Sequence, residues 1–275
     1  YSNEGGFFDC EKVRFYAGFP EKIGGWVKQS DNTYQGTARA LHNWVALDGS
    51  NYMGVGTHLK YYIEEGGQFF DVTPVRKTST NSITFSATNG SSTITVTDSS
   101  HGAVINDFVT ISGAVTLGGL VTADVLNAEH QITKIVNANS YEIVVSVTAN
   151  SSDSGNGGSG VDGVYQINVG LNTAVGGNGW GAGGWSGVNA DLSTFGWGEA
   201  AASGTTAQIR LWSHDNFGED LLINPKDGGI FYWDESNGTG SAAVNITSLS
   251  GSSDAPTIAK QVLVSDIDRH VIVFG

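Results

Sequence analysis

Cysteine, long apolar runs and an initiating methionine are scarce or missing in this 275-residue sequence, and each shortage narrows the possible protein classes. The single cysteine, Cys10, cannot form a disulfide within the chain, which excludes a disulfide-stapled scaffold. No uninterrupted apolar run approaches the ~18 residues of a membrane-spanning helix, so we expect no membrane span. The chain starts with Tyr1 and lacks a signal-peptide n-region, from which we expect a processed chain or a piece of a longer one.

Basic residues are also few: 13 lysines and arginines stand against 27 aspartates and glutamates, for a net charge of -14. A protein that reads duplex DNA needs clustered cations to displace counterions from the phosphates. The nearest candidates are the isolated pairs Arg76-Lys77 and Lys12/Arg14. We therefore expect no specific DNA binding. The acidic surface serves either solubility or a conduit wall to which DNA does not adhere.

Helical patterns are nearly absent, and the sequence predicts an all-β fold. The longest candidate helix, around Thr122 to Ala128, lacks a sustained 3.6-residue period. Strand patterns recur instead as antiparallel hairpins with a polar turn between aliphatic or aromatic strands. The hairpins are Ile63 to Phe70, Leu221 to Asp234 and Lys260 to Gly275, with preceding strands expected at Ala38 to Leu47 and Gln208 to His214.

Repeated antiparallel units of roughly 40 residues are typical of β-propeller blades. A propeller closes with 4–8 blades, whereas this sequence supplies about two and a half, so we predict partial or assembled propeller-like blades. The chain ends directly after an apolar strand, and a free apolar edge promotes aggregation. We therefore expect a longer parent chain or an assembly partner. Within the second hairpin, alternation predicts that Phe231 and Trp233 are buried together while Tyr232 faces the other side.

A different block lies between the first and second hairpins. Residues 81–97 alternate across the Asn89-Gly90 turn, and further short strands follow at residues 108–112, 130–135 and 140–145. Four or five short strands in about 70 residues favour a small β-barrel or sandwich, and Ser151 to Gly163 has the composition of a flexible linker. We predict blades in residues 1–77, an inserted small β-domain in residues 78–163, and continuing blades in residues 164–275.

A glycine-rich segment, Gly176 to Gly198, carries Trp180, Trp185 and Trp197. Aromatic rings on loops can stack on sugars, which would make this a carbohydrate-binding site. The other interpretation is that the rings fill space between a loop and the sheets or lie at a subunit contact, where tryptophan is favoured. Glycine runs let the backbone turn sharply between such anchors.

Acidic residues and histidines were considered as catalytic or metal-binding groups, and we assign no catalytic, cofactor-binding or metal-binding residue. Paired carboxylates could serve a glycosidase, but acidic residues are the usual solvated choice on turns. The histidines lack the spacing of a metal motif, and the acidic turn at residues 266–268 matches no EF-hand. We therefore expect no enzyme and no cofactor. The residues considered were His214-Asp215, Glu219-Asp220 and Asp227, with the other histidines His42, His58, His101, His130 and His270.

Several stretches together resemble virion structural proteins of tailed bacteriophages. The inserted block is similar to a small β-module that is widespread in phage tail proteins; its matching residues are His101-Gly102, Asp107 to Val109 and Ile111 to Gly113. The other stretches that carry the resemblance are Pro20 to Trp26, Arg39 to Trp44, Gly54 to Thr57, Asp71 to Pro74, Leu211 to Leu222 and Asp268 to Gly275.

This resemblance implies a β-propeller tail component akin to the nozzle of short-tailed phages, in which a multimeric ring lines the DNA exit channel. Its implied partners are further copies of itself, other tail proteins such as adaptor and fibres, and double-stranded DNA that passes without specific binding. The implied location is the virion. The alternative, from a different class, is a carbohydrate-binding or carbohydrate-degrading receptor-recognition module of a phage tail.

Overall fold

The computed structural model describes residues 10–25, 27–28, 30–156, 160–169, 210–265 and 267–275. These residues form twenty strands, one four-residue α-helix and two short 3-10 helices, which confirms the predicted all-β fold. The helix α1 (Ala123–Leu126) falls within the segment of weak helical pattern. In the described ranges no helix is long and apolar enough to cross a membrane. The first two strands, β1 (Val13–Tyr16) and β2 (Phe19–Lys22), form a separate two-stranded hairpin.

The first four-stranded sheet is an antiparallel meander in the order β3-β4-β5-β6. Its last hairpin is the predicted one, since Gly66 and Gly67, both with positive φ, connect Glu65 to its partner Gln68. Glycine suits this two-residue turn because it lacks the Cβ that makes positive φ costly. The strands are β3 (Ala38–Val45), β4 (Asn51–Thr57), β5 (Tyr61–Glu65) and β6 (Gln68–Asp71).

The second four-stranded sheet is again an antiparallel meander, in the order β15-β16-β17-β18, and a third hairpin β19–β20 follows it. Both contain hairpins that the sequence predicted. As the alternation predicted, Phe231 and Trp233 are buried in one cluster while Tyr232 packs against another. The strands are β15 (Trp212–Phe217), β16 (Asp220–Pro225), β17 (Phe231–Trp233), β18 (Val244–Asn245), β19 (Gln261–Val264) and β20 (Val271–Phe274).

The three antiparallel units pack in series through two apolar clusters. Inner faces of the first and second sheets share a core that includes Tyr61, Ile63, Leu221 and Trp233. The opposite face of the second sheet packs on the third hairpin through a cluster that contains Leu222 and Val262. Face-to-face packing of meanders is the relation between neighbouring propeller blades. The described ranges hold two four-stranded units and one hairpin, so the propeller itself stays a prediction.

In the sequence between the two meanders, eight strands form an antiparallel sheet with the order β13-β8-β9-β12-β11-β10-β14-β7. The long strand β11 pairs with β10 through one end and with β12 through the other, so both halves of the sheet enclose one core. Register shifts in β11 let it bend between the halves. The strands are β7 (Val75–Ser79), β8 (Thr84–Ala87), β9 (Thr93–Thr97), β10 (Phe108–Ser112), β11 (Glu129–Asn137), β12 (Ser140–Val144), β13 (Asp153–Asn156) and β14 (Asp162–Gln166).

Two details of this sheet differ from the sequence prediction. The sheet has eight strands rather than four or five, because the flanking strands β7 and β14 and the edge strand β13 complete it. The segment Ser151 to Gly163, predicted to be a linker from its composition, contributes β13, which pairs with β8. Backbone pairing overrides composition there, since small side chains are tolerated at a sheet edge. The proposed boundaries at residues 78 and 163 fall inside β7 and β14, and an autonomous inserted domain stays a prediction.

Candidate functional site

The interface between the two meanders is the most extensively built feature outside the eight-stranded sheet. Trp44, Tyr52 and Trp233 form an aromatic triangle, with Trp44 and Tyr52 each edge-on to Trp233 at ring-centroid distances of 6.2 and 5.7 Å. Tyr61 lies edge-on to Trp212 at 5.0 Å. Edge-to-face pairs of this kind add to the stabilisation from burial alone. The layer joins residues distant in sequence and so fixes the second sheet on the first.

Two glycines of β4 allow this close approach. A Cβ at Gly54 would lie 2.4 Å from the hydroxyl oxygen of Tyr61, and a Cβ at Gly56 would lie 2.4 Å from Cδ1 of Trp212. Both separations are far below van der Waals contact, so any side chain at either position displaces an aromatic ring. The Gly54 to Thr57 run, which contributed to the resemblance noted above, therefore has a packing role.

Polar contacts cross the same interface and satisfy two of its three indole N–H groups, while that of Trp233 has no partner among the described residues. The Trp212 indole N–H donates to the Thr57 carbonyl at 2.7 Å, and the Trp44 indole N–H donates to the Glu219 carbonyl at 3.0 Å. His42 Nε2 and Asn216 Oδ1 are 2.6 Å apart. Directional bonds of this kind define the relative position of the sheets, which apolar contact alone does not.

His214 of β15 is enclosed within this interface. Its Nδ1 lies 3.0 Å from the Tyr61 hydroxyl, and its ring is 4.9 Å from the ring of His42. Burial, together with the charge of His42, lowers the pKa of His214 to about 4, although hydrogen bonding to the Leu41 backbone and the nearby Asp215 act in the opposite direction. Burial raises the pKa of Tyr61, so the phenol keeps its proton beside His214.

Three of the acidic catalytic candidates accept hydrogen bonds from backbone or phenol groups. Asp215 accepts from the Val264 N–H at 2.8 Å and thereby links β15 to the third hairpin. Asp220 accepts from the Glu235 N–H at 3.0 Å and from the Tyr232 hydroxyl. Glu219 accepts from the Leu47 N–H. These hydrogen bonds hold turns in place and join neighbouring sheets.

Across the residues that the structure describes, no group of three or more His, Cys, Asp or Glu side chains could hold a metal ion. His42 and His214 are neighbours, whereas His101 and His130 lie apart: His101 Nε2 is 3.0 Å from the Asn137 carbonyl, and His130 Nε2 is 3.0 Å from the Leu126 carbonyl. The acidic turn at residues 266–268 includes residue 266, which lies outside the described residues. The tryptophans proposed to stack on sugars, Trp180, Trp185 and Trp197, also lie outside them.

A buried lysine, which the sequence reasoning missed, joins the first meander to the eight-stranded sheet. The Lys60 side chain is 1% exposed and forms ion pairs with Asp71 of β6 and Glu129 of β11, while its ammonium lies 4.5 Å from the Phe108 ring centroid. Burial raises the pKa of Asp71, but Lys60 and hydrogen bonds from Thr73 and Gln166 outweigh this and hold it below its usual value. A signal was present, since Lys60 directly precedes the apolar strand Tyr61 to Ile63.

The basic pair Arg76-Lys77, the nearest candidate for a DNA contact, is engaged within the eight-stranded sheet. Arg76 donates to the His101 carbonyl at 3.0 Å and lies 3.7 Å from the Asp107 carboxylate. Lys77 lies 3.5 Å from the Asp98 carboxylate and donates to the Ser100 carbonyl at 3.1 Å. Asp98 also accepts from the buried Tyr165 hydroxyl at 2.7 Å. These pairs reduce the cationic character of this part of the surface.

One open cleft of about 550 Å³ lies on the outer face of the first meander. Tyr34 and Phe69 meet edge-on there, with ring centroids 4.8 Å apart. The Glu64 carboxylate accepts from the Gly67 N–H at 2.7 Å. Aromatic rings beside polar groups are a combination that sugars can use, although nothing in the cleft places a second carboxylate opposite the first. The lining residues are Lys28, Ser30, Asn32, Tyr34, Met53, Glu64 and Phe69.

Comparison with known proteins gives a weak structural likeness. No family model matches the sequence, and no curated protein matches it. Among solved structures, the chain is similar to the phage phi92 endosialidase, with a TM-score of 0.28 and 13% sequence identity. The match covers 90% of this chain and 35% of the endosialidase, so this chain spans about a third of that protein's length. A likeness of this size carries no argument about function.

Proposed function

We propose that the protein is a structural component of a bacteriophage tail, in the form of a nozzle-like ring subunit that lines or surrounds the DNA exit channel. The observation that carries this proposal is the serial face-to-face packing of antiparallel units. The first meander packs on the second through the aromatic layer, and the second packs on the third hairpin through Leu222 and Val262. Such an array is rigid and can be extended by further antiparallel units, which suits a ring that must keep its shape.

The charge of the chain agrees with a channel wall. A net charge of -14 disfavours adsorption of a polyanion, and Arg76 and Lys77 are paired with acidic or carbonyl groups. At physiological salt the screening length is only about 8 Å, so repulsion acts near contact and a few inward-facing carboxylates suffice. The proposed partners are other copies of the chain, adaptor and fibre proteins of the tail, and DNA in passage. The proposed location is the virion.

The proposal includes no catalytic step. Its carboxylate candidates, Asp215, Glu219 and Asp220, each accept a backbone hydrogen bond that holds a turn or joins two sheets. Most glycosidases use two carboxylates that flank the scissile bond in a common cleft. The function proposed here asks them only to hold geometry.

The alternative is a carbohydrate-binding or carbohydrate-degrading receptor-recognition module. The cleft beside Tyr34 and Phe69 favours it, because the two rings adjoin Lys28, Asn32 and Glu64. A glycan array with the purified protein distinguishes the two classes. Saturable glycan binding that is lost in Phe69→Ala supports recognition, whereas the tail-ring proposal predicts no such binding.

Electron microscopy of the purified protein tests the proposed function directly. We expect closed rings with an open centre, and a uniform field of monomers would contradict the proposal. A second measurement tests the channel wall: fluorescence anisotropy with duplex DNA at about 20 mM salt, where any cationic contact is strongest. We expect no saturable binding, and the eight-stranded sheet should lie outside the ring rather than fill its centre.

A further inference from the structure

The hairpin β1–β2, here called the aromatic arm (residues 13–22), differs in character from the rest of the chain. Its two strands pair from Val13–Lys22 to Tyr16–Phe19 across a turn in which Ala17 and Gly18 have positive φ. Every residue of its strands except Val13 is exposed. The tip presents two aromatic rings, Tyr16 at 66% and Phe19 at 73% exposure.

An arm of this composition needs a surface to cover it. A two-stranded hairpin is at best marginally stable in water and gains stability by packing an apolar face on another element. Ile23 and Val27, which follow the arm, are also largely exposed, so the apolar character extends beyond its strands. Adjacent exposed apolar side chains of this size are typical of an interaction surface rather than of a solvated one.

The charge of the arm and of the residues that flank it indicates the chemistry of the partner. Residues 10–28 hold the basic side chains Lys12, Arg14, Lys22 and Lys28 against only Glu11 and Glu21, a local net charge of +2 in a chain whose total is -14. Arg14 and Glu21 pair within the arm at 3.0 Å. A cationic, aromatic segment attached to an acidic body is complementary to the body of another copy.

The body carries a surface that fits the arm. Leu41 and Val45 lie on the face of β3 opposite to Trp44, and both are exposed, as is Leu47 just after the strand, at 94%. We call these three residues the β3 stripe. Asp48 follows directly, and Glu219 lies beside it, with its carboxylate accepting from the Leu47 N–H. The β3 stripe is therefore apolar with an acidic border, the inverse of the arm's charge.

We propose that the aromatic arm of one copy docks on the β3 stripe of a second copy. Tyr16 and Phe19 cover Leu41, Val45 and Leu47, while Lys22 of the arm and Lys12 just before it face Asp48 and Glu219. The two surfaces differ, so the contact is heterologous and joins copies head to tail, which yields closed rings or open filaments. The inference shares with the proposed function only the second copy as partner.

Sedimentation-velocity measurements on two complementary variants test this contact. Tyr16→Ser/Phe19→Ser removes the arm's rings and leaves the β3 stripe, whereas Leu41→Ser/Leu47→Ser removes the stripe and leaves the arm. Each variant alone should sediment as a monomer, because each lacks one half of the contact. Mixed in equal amounts they should form a heterodimer and nothing larger, since only one productive contact remains between them.

Matched controls separate this contact from general surface effects. Val136→Thr/Val144→Thr removes two exposed apolar side chains from the eight-stranded sheet and should leave the wild-type assembly unchanged. Charge reversal at Lys22 of the arm and at Lys12 just before it, Lys12→Glu/Lys22→Glu, should weaken assembly, and adding Asp48→Lys should restore part of it.

Three results would overturn the inference. The first is a Tyr16→Ser/Phe19→Ser variant that assembles like the wild type. The second is a variant mixture that stays monomeric, because the intact arm of one variant then does not bind the intact stripe of the other. The third is arm-dependent co-sedimentation of a monomer with vesicles of phosphatidylglycerol and phosphatidylcholine, which would make a membrane the partner. Closed ring assemblies that persist in Tyr16→Ser/Phe19→Ser would refute the arm contact and leave the proposed function standing. Arm-dependent filaments with no closed assembly would contradict the proposed function and leave the arm contact standing.

Discussion

The indole ring of Trp212 lies directly over the α-carbon of Gly56, so closely that a Cβ at Gly56 would be 2.4 Å from Cδ1 and 2.5 Å from Cγ of the ring. The same indole donates to the carbonyl of Thr57, the next residue, at 2.7 Å. One side chain of the second meander is therefore both packed and hydrogen-bonded on the central strand of the first. The absence of a side chain at Gly56 sets the distance between the two sheets.

Replacing Gly56 with alanine should destabilise the protein. The added methyl group overlaps the Trp212 ring, which must move and lose its bond to Thr57, and overpacking of this kind costs about 1–3 kcal/mol in the free energy of unfolding. Chemical denaturation followed by tryptophan fluorescence measures the change. Gly240→Ala is the matched control, because a Cβ there meets nothing within 4 Å. Equal stability of the two variants would show that the sheets are not held at this distance.

Removing the buried ammonium of Lys60 should cost more than removing an exposed one. Lys60→Met leaves Asp71 and Glu129 without their cation, and breaking a buried ion pair from one side costs about 3 kcal/mol or more. Lys134→Met, which removes an exposed partner of Glu142, should cost less than about 1 kcal/mol. Urea denaturation of both variants gives the comparison.

The pH dependence of stability gives a second, independent test of the Lys60 ion pairs. The folded-state pKa of Asp71 is lowered, so its contribution to stability is present above the ordinary pKa and is lost as pH falls through the folded value. Lys60→Met removes the Lys60 contribution to this lowering and leaves only the hydrogen bonds from Thr73 and Gln166 against the effect of burial, so acid unfolding should begin at a higher pH. The triple variant Lys60→Met/Asp71→Asn/Glu129→Gln should recover much of the stability, because no uncompensated charge remains. Failure to recover would mean that Lys60 acts through packing rather than charge.

Local patterns explain why much of the fold was predictable. The Gly66-Gly67 turn permits positive φ where the β5–β6 hairpin reverses, and alternation in β17 buries Phe231 and Trp233 on one face. Each of these depends on residues near one another in sequence. Single-sequence patterns therefore predicted the three hairpins well.

Contacts between distant residues explain what the sequence did not predict. The pairing of β13 with β8, which turns a glycine-serine segment into a strand, depends on a backbone partner some 70 residues away. Lys60 and Glu129 meet only because the eight-stranded sheet packs beside β5. The acidic turn residues received no catalytic assignment from the sequence, and the partners that engage Asp215 and Asp220 were visible only in the structure.

Because of His214, the free energy of unfolding should decrease as the pH is lowered from about 6.5 to about 4. Its folded-state pKa is about 4 against an ordinary 6.5, so in this range the unfolded state binds more protons and folding is disfavoured as pH falls. The full loss, reached below pH 4, is of order 3 kcal/mol. Melting temperatures of wild type and His214→Gln across this range measure it, and the variant should show the shallower slope.

Two further groups require a differential measurement. Burial also lowers the pKa of His58 and of His130, so both contribute to the wild-type slope in the same direction, and the difference between the two proteins isolates His214. His270→Gln is the matched control, because His270 is exposed. Identical slopes for wild type and His214→Gln would show that the histidine is solvated and that the interface opens to water.

The eight-stranded sheet should fold when it is expressed alone, provided that both flanking strands are included. A fragment of residues 75–167 keeps β7, β14 and the apolar core, and we expect a cooperative thermal transition by circular dichroism. A fragment of residues 78–163 lacks Val164 to Gln166 and so loses Tyr165, which is fully buried, donates to Asp98 at 2.7 Å and lies 3.0 Å from the Tyr141 hydroxyl. Losing a core aromatic costs about 3–5 kcal/mol, so the shorter fragment should be unfolded or melt far lower. Cooperative melting of both fragments at one temperature would show that β7 and β14 belong to the flanking units, and unfolding of both would show that the sheet depends on the meanders.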